Sequence, residues 1–218
     1  VRDQGFEVDR EGFMAAQEEH RKASGKGSFK SMNSDDTEIY DGYLKQLIAE
    51  GLLPGGKVEQ NPYTLDPVNT DAVMLIKDGI PVSELNEDDE AEIIVPATGF
   101  YLEMGGQIGD RGTITAKDGS VFTVESVRKP CAGLIVHCGK MTKGSIAAGN
   151  NVSVAVDLRY RHDIMRNHTA THLLHAALHD VIGPEARQAG SYVSDSRLRF
   201  DFNSNKALTA EQLAEIED

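Results

Sequence analysis

Two Asp-Gly pairs, Asp78-Gly79 and Asp118-Gly119, each lie between short apolar runs, and they constrain the fold of this chain more than any other feature. Asp-Gly is favoured where a tight turn needs positive φ, so each pair reads as the turn of an antiparallel hairpin. Residues 72–77 and 80–82 flank the first pair, and residues 112–116 and 120–127 flank the second. Further strands are expected over 91–95, 133–138 and 151–159. Short strands at regular spacing with Gly-rich turns suggest a closed or nearly closed barrel. Ahead of them the pattern predicts a short helix over 43–50 that ends at Gly51. Asp9 is placed to cap an earlier helix from Arg10 to about Lys22, and Ser24-Gly25-Lys26-Gly27-Ser28 reads as a flexible break.

After the strands the pattern turns helical. In Asn167-His168-Thr169-Ala170-Thr171-His172-Leu173-Leu174-His175-Ala176-Ala177-Leu178-His179, four histidines share one stripe. His168 and His172 are four apart, so on a helix their imidazoles point the same way, one turn apart, and such a pair can clamp a metal ion. Asn167 is a good N-cap, and the helix should end near Gly183-Pro184. The plain alternative is a polar helix face whose histidines ligate nothing, because many matches at this spacing are accidental. A zinc protease needs Glu directly after the first histidine, and Thr169 stands there, which sets that class aside.

Composition enters as a bound. With 39% hydrophobic residues in 218, there is material for one or two cores. No apolar run approaches the roughly 20 residues of a spanning helix, and no signal peptide opens the sequence. Cys131 and Cys138 lack C-x-x-C spacing, so neither a disulfide framework nor a cysteine zinc knuckle is indicated, and a reducing cytoplasm is the expected setting. The net charge of −13 argues against nucleic acid taken as a whole. Much of the acid is early, in Glu84, Glu87, Asp88, Asp89, Glu90 and Glu92, a run read as a solvated loop. Arg111, Lys117, Arg128, Lys129, Lys140 and Lys143 follow, either as a locally positive barrel face or as scattered surface charge. Thr209-Ala210-Glu211-Gln212 has capping-box spacing for a further helix with Leu213 and Ile216 on one side. The chain starts at Val1 without Met and stops at Asp218 within that helix, so a piece of a longer protein is expected.

The string from Arg166 to Phe202, RNHTATHLLHAALHDVIGPEARQAGSYVSDSRLRFDF, resembles the start of the editing domain of alanyl-tRNA synthetases. In that family N-H-[ST]-A-T-H-L-L-H-A-A-L, Q-x-G-S-x-V and L-R-F-D-F recur in this order. Upstream, Gly99-Phe100-Tyr101-Leu102-Glu103-Met104-Gly105-Gly106-Gln107-Ile108-Gly109-Asp110 is similar to the family's F-Y-x-E-x-G-G-Q-x-G-D segment. Gly133 to His137 and Val156-Asp157 fit the barrel that precedes editing. The opening Gly5 to Phe13 is similar to the end of the helical tRNA-binding region. The resemblance covers nearly the whole chain and is weakest between about Ser24 and Asp89.

It implies an α+β fold, with a translation-factor-like β-barrel followed by the truncated start of an α+β editing domain. The implied divisions are 1–30 for the end of the helical region and linker, 31–160 for the barrel, and 161–218 for the editing segment. In the family the two helix histidines bind zinc with a Cys and a His from a later C-x-x-x-H motif. None follows His172 here, so only half of a zinc site, His168 and His172, is expected, with His175 as a stray partner.

The implied reaction is hydrolysis of seryl- or glycyl-tRNA(Ala), needed because a pocket for alanine cannot fully reject Gly or Ser. Thr171 and Gln188 occupy positions associated with that discrimination; their plain readings are a helix Thr bonded to a backbone carbonyl and a surface Gln. Gly105 and Gly106 match a loop that influences selectivity, while Leu102 and Met104 replace smaller residues and imply a bulkier loop. Arg197 and Arg199 are candidate tRNA contacts, or simply part of a strand with Leu198, Phe200 and Phe202 on one face. The implied partners are tRNA(Ala) and the remaining domains of a parent synthetase, with no membrane. The chain itself lacks an ATP-binding aminoacylation domain, so ligation by it alone is not expected. The alternatives are a free-standing alanyl-tRNA editing hydrolase, or a noncatalytic RNA-binding or docking barrel.

Overall fold

The computed structural model describes residues 34–217. The expected helix over 10–22, the Ser24–Ser28 break and the segment resembling the helical region lie outside them. The chain divides into two compact units, 1–38 and 39–218, and the sheet and the histidine helix both belong to the second.

Helix α1, Ser34–Ala49, starts earlier than residue 43 because Tyr40 already belongs to its buried face. Tyr40, Leu44 and Leu47 recur at helical spacing and are all buried. Gly51 ends the helix at φ 74°, where Leu52 N–H donates to Leu47 O and Gly51 N–H to Ile48 O. That double closure satisfies the orphan carbonyls and requires the left-handed residue that glycine supplies.

Fourteen strands follow: β1 Glu59–Gln60, β2 Val68–Asp71, β3 Met74–Lys77, β4 Ile80–Val82, β5 Glu84–Asn86, β6 Glu90–Ile94, β7 Ala97–Thr98, β8 Gly112–Ala116, β9 Val121–Arg128, β10 Val136–Lys143, β11 Ser145–Ala147, β12 Asn151–Val156, β13 Gln188–Val193 and β14 Leu198–Phe202. Eight form one antiparallel sheet in the order β2-β12-β8-β9-β10-β6-β3-β4. The sheet curls: Ile114 and Val154 near one end share a buried cluster with Leu75 and Ile93 near the other. It stays open in its hydrogen bonding, because β2 and β4 end the order without pairing to each other.

A second cluster, holding Tyr40, Leu44, Leu47, Met74, Ile76, Ile94 and Val136, lies where α1 covers the outer face. This explains β3, in which Met74 and Ile76 face one core and Leu75 the other. A strand buried on both faces reads as a continuous apolar run rather than an alternating one.

The first expected hairpin forms as the sequence requires. Asp78 and Gly79 take φ 52° and 77° between Lys77 and Ile80, which pair. The second closes through a longer turn, with Gly119 at φ 86° and Asp118 Oδ1 accepting from Ser120 N–H.

Three expectations are corrected. The strand expected over 133–138 runs Val136–Lys143, because Gly139 to Lys143 continue pairing with β9 across two register shifts. The strand expected over 151–159 ends at Val156, where Asp157 caps helix α2, Leu158–Ile182, by accepting from Tyr160 N–H at 3.1 Å. Asn167 is therefore not a cap but lies mid-helix, where its side chain donates to Ser194 O at 2.8 Å. The helix end is as expected, with Gly183 after the last turn.

Helix α3, Ala210–Glu217, carries the capping box in full: Gln212 N–H donates to Thr209 Oγ1, and Gln212 Oε1 accepts from Thr209 N–H. No described helix is long and apolar enough to cross a membrane. The fold of the described residues is α+β, a curled antiparallel sheet followed by a helix and the β13-β14 hairpin packed on it.

The charge runs resolve into pairs. Asp89 bonds Lys77 at 2.6 Å, Asp88 bonds Lys140 at 2.7 Å, and Glu92 is held by Arg128 and Tyr40, so the acidic stretch is a strand-turn-strand rather than a loop. Arg111 pairs with Asp157, Arg128 with Glu92 and Lys140 with Asp88, which favours the scattered-charge alternative over a positive face.

Candidate functional site

Helix α2 is anchored at its start. Arg161, 5% exposed, closes on Asp110, 2% exposed, and also donates to Gly99 O at 2.6 Å, Pro62 O at 2.9 Å and Thr64 O at 3.2 Å. Asp110 in turn accepts from Tyr101 N–H at 2.5 Å. A buried guanidinium is tolerable only when its donors are matched in this way. Arg111 stacks on Tyr160, 4.0 Å from the ring centre, and pins the same turn.

One face of α2 then carries the histidines. His168 and His172 point together, with Nε2 atoms 3.1 Å apart and ring centres 5.0 Å apart. Both are exposed. His168 Nδ1 lies 2.5 Å from Gln107 Oε1, a contact across 61 residues. An amide oxygen only accepts, so the imidazole donates from Nδ1 and its Nε2 is left with a lone pair.

The other two histidines of the stripe face different surroundings. His175 packs on Phe200 of β14, with ring centres 4.9 Å apart, and on His179 at 4.3 Å, while His179 Nε2 meets Ala186 O at 3.2 Å. His175 Nε2 is buried without a hydrogen-bond partner. The stripe is thus two pairs, one open and one packed.

The open pair fits zinc as two of its ligands, because imidazole nitrogens about 2.0–2.1 Å from a tetrahedral ion sit about 3.3 Å from each other. Among the described residues no group of three or more His, Cys, Asp or Glu is arranged to hold a metal.

The glycine loop lies beside this pair. Gly105 and Gly106 take φ 63° and 84°. Gly105 has open space where a side chain would be, but a Cβ on Gly106 would collide with the Ser191 carbonyl. The close approach lets Gly106 O accept from Val193 N–H at 2.8 Å and Val193 O accept from Ile108 N–H at 3.1 Å, so the loop is laced to β13. Ser191 Oγ donates to Gly105 O at 3.2 Å and accepts from Gln188 Nε2 at 3.0 Å. Gln188 and the glycine loop, apart in sequence, are therefore one hydrogen-bonded unit. The bulk of Met104 does not crowd the loop, since 69% of it faces solvent, and Leu102 is half-buried between the two cores.

Thr171 is 8% exposed and its hydroxyl donates to Asn167 O at 2.8 Å, the local helix bond. Arg197 lies over the Tyr192 ring at 5.4 Å, and Arg199 pairs with Asp201 at 3.1 Å while staying 68% exposed. Neither arginine approaches the open histidine pair through these contacts. Sequence reading missed Gln107 and Ser191, both inside motifs already singled out. It also missed Arg161 and Asp110, whose pairing spans 51 residues.

A second polar cluster lies away from this site. Glu92 receives Tyr40 Oη at 2.5 Å and Arg128, and burial with the Glu92 contact pushes the Tyr40 hydroxyl well above its ordinary value. Cys138 sits beside them and burial pushes its thiol up to about 11, so it is a poor nucleophile.

Comparison with known proteins gives one family. Residues 1–160 match the model of tRNA synthetases class II (A). An alanine–tRNA ligase of Magnetococcus marinus is 37% identical over 218 residues, all of this chain and 24% of that protein. One of Carboxydothermus hydrogenoformans is 39% identical over 216 residues, 99% of this chain and 24% of that protein, and one of Herpetosiphon aurantiacus is 47% identical over 141 residues, 65% and 16%. The family match stops where α2 begins, whereas the first two relatives extend across the histidine helix. The chain spans about a quarter of the length of these relatives. It belongs to the class II (A) tRNA synthetase family.

Proposed function

We propose that this chain is part of an alanine–tRNA ligase and carries part of the site that hydrolyses seryl- or glycyl-tRNA(Ala). In this reading residues 31–160 are the translation-factor-like barrel and residues 161–218 begin the editing domain. The observation that carries it is the facing Nε2 pair of His168 and His172, set on a helix directly against the glycine loop.

In this reading His168 and His172 hold zinc together with ligands supplied from elsewhere. Zinc, when bound, supplies Lewis-acid activation of water near neutral pH. Thr171 already donates to Asn167 O, so its hydroxyl oxygen is left to accept from a seryl hydroxyl. Gln188, tied through Ser191 to Gly105, sets the loop that closes over the amino acid. A site that rewards a hydroxyl discriminates by hydrogen bonding that alanine cannot return. Arg197 and Arg199 lie on the exposed side of the β13-β14 hairpin and serve the tRNA backbone.

The test is substrate discrimination by the full-length protein carrying this sequence. Seryl- and glycyl-tRNA(Ala) should be hydrolysed and alanyl-tRNA(Ala) spared. Equal rates on all three, or none, would refute the assignment.

A further inference from the structure

We infer that Gln107 is a positioning residue that locks His168 in its Nδ1–H form and ties the glycine loop to the helix at the point where a metal would bind. The inference deepens the reading of His168 and His172 as ligands and rests on it. The contact is short, 2.5 Å between Nδ1 and Oε1, and the direction of donation leaves Nε2 as a lone pair facing His172. Without metal, His172 donates its Nε2–H to that lone pair. If a metal were held by both Nε2 atoms, His172 would have to carry its proton on Nδ1, whereas the Nδ1–H that Gln107 holds on His168 already suits that role.

Gln107 is not free to wander. Its N–H donates to Met104 O, its O accepts from Met104 N–H, and the next residue bonds Val193. Three residues on, Asp110 is gripped by Arg161, seven residues before His168. Seven helical residues rise about 10.5 Å, and three extended residues span about 10 Å, so loop and helix run alongside each other, fastened at both points. A hydrogen bond to the distal nitrogen of a metal-binding histidine fixes its ring, and losing such a partner costs roughly 10–100-fold in metal affinity. Gly105 and Gly106 precede Gln107 directly, so the side chain that orients the His168 ring extends from the same loop that is laced to β13.

Two readouts separate this inference from the reading beneath it: the tautomer of His168, read on the 218-residue chain, and zinc affinity, read on the full-length protein, which in this reading supplies the remaining ligands. Long-range 15N–1H correlation spectra at fixed pH near 8 report the tautomer of His168 with no metal present. Wild type should show Nδ1–H; Gln107→Leu should show the mixture of an unrestrained ring, in which Nε2–H predominates; Gln107→Glu, which keeps the acceptor, should restore Nδ1–H. Zinc titration by calorimetry should then weaken by roughly 10–100-fold in Gln107→Leu and recover in Gln107→Glu. An Nε2–H signal for His168 in wild type, or an unchanged tautomer in Gln107→Leu, overturns the role of Gln107. Zinc affinity equal in wild type and His168→Ala overturns the ligand reading instead, while the tautomer result still decides the positioning.

Discussion

Arg161 and Asp110 form a buried ion pair that joins the histidine helix to the loop of the sheet that carries Gly105, Gly106 and Gln107. Their side chains are 6% and 3% exposed. The junction sets where α2 runs relative to that loop, and so where His168 meets Gln107.

Removing one partner should therefore be costly. Arg161→Met leaves the Asp110 carboxylate buried and three carbonyls without their donor, which should cost about 3–5 kcal/mol, read from urea denaturation midpoints. The double change Arg161→Met with Asp110→Leu should recover part of that loss. Additive losses would show that the pair is not coupled.

The two glycines should behave differently. Gly105→Ala meets only backbone strain, about 1–2 kcal/mol, because nothing occupies the space beside it. Gly106→Ala adds the collision with Ser191 and must break the ladder to β13, so its melting temperature should fall further. Equal melting temperatures would contradict the laced loop.

His137 gives the pH dependence. It is fully buried between Thr98 and Ile93 O, against Phe100, and burial lowers its pKa to about 4. The unfolded ring titrates near 6.5, so the unfolded state binds the extra proton first as pH falls. Stability is fully present above about pH 6.5, is lost between 6.5 and about 4, and levels off below that, by up to about 3 kcal/mol. Denaturation at several pH values should show this slope in wild type, and His137→Leu should flatten it.

The sequence made some of this legible and hid the rest for physical reasons. Local signals worked: Asp78-Gly79 formed its turn, Gly183 ended its helix, and Thr209 with Gln212 closed their box, because each depends on residues within a few positions. The start of α2 failed. Asn167 looked like a cap, but the turns before it are held by the Arg161 ion pair and the Arg111-Tyr160 stack, whose partners are distant in sequence. The histidine stripe was visible as a pattern, yet nothing in it separated the open pair from the pair packed on Phe200. That division is set by Gln107 and by the β13-β14 hairpin, which are tertiary facts.

The decisive experiment is hydrolysis of seryl-tRNA(Ala) by the full-length protein, wild type against the His168→Ala, His172→Ala double variant, with alanylation followed alongside. If these two rings hold the metal, hydrolysis falls by on the order of 100-fold or more while alanylation is unchanged. Hydrolysis at the wild-type rate in the double variant would contradict that role.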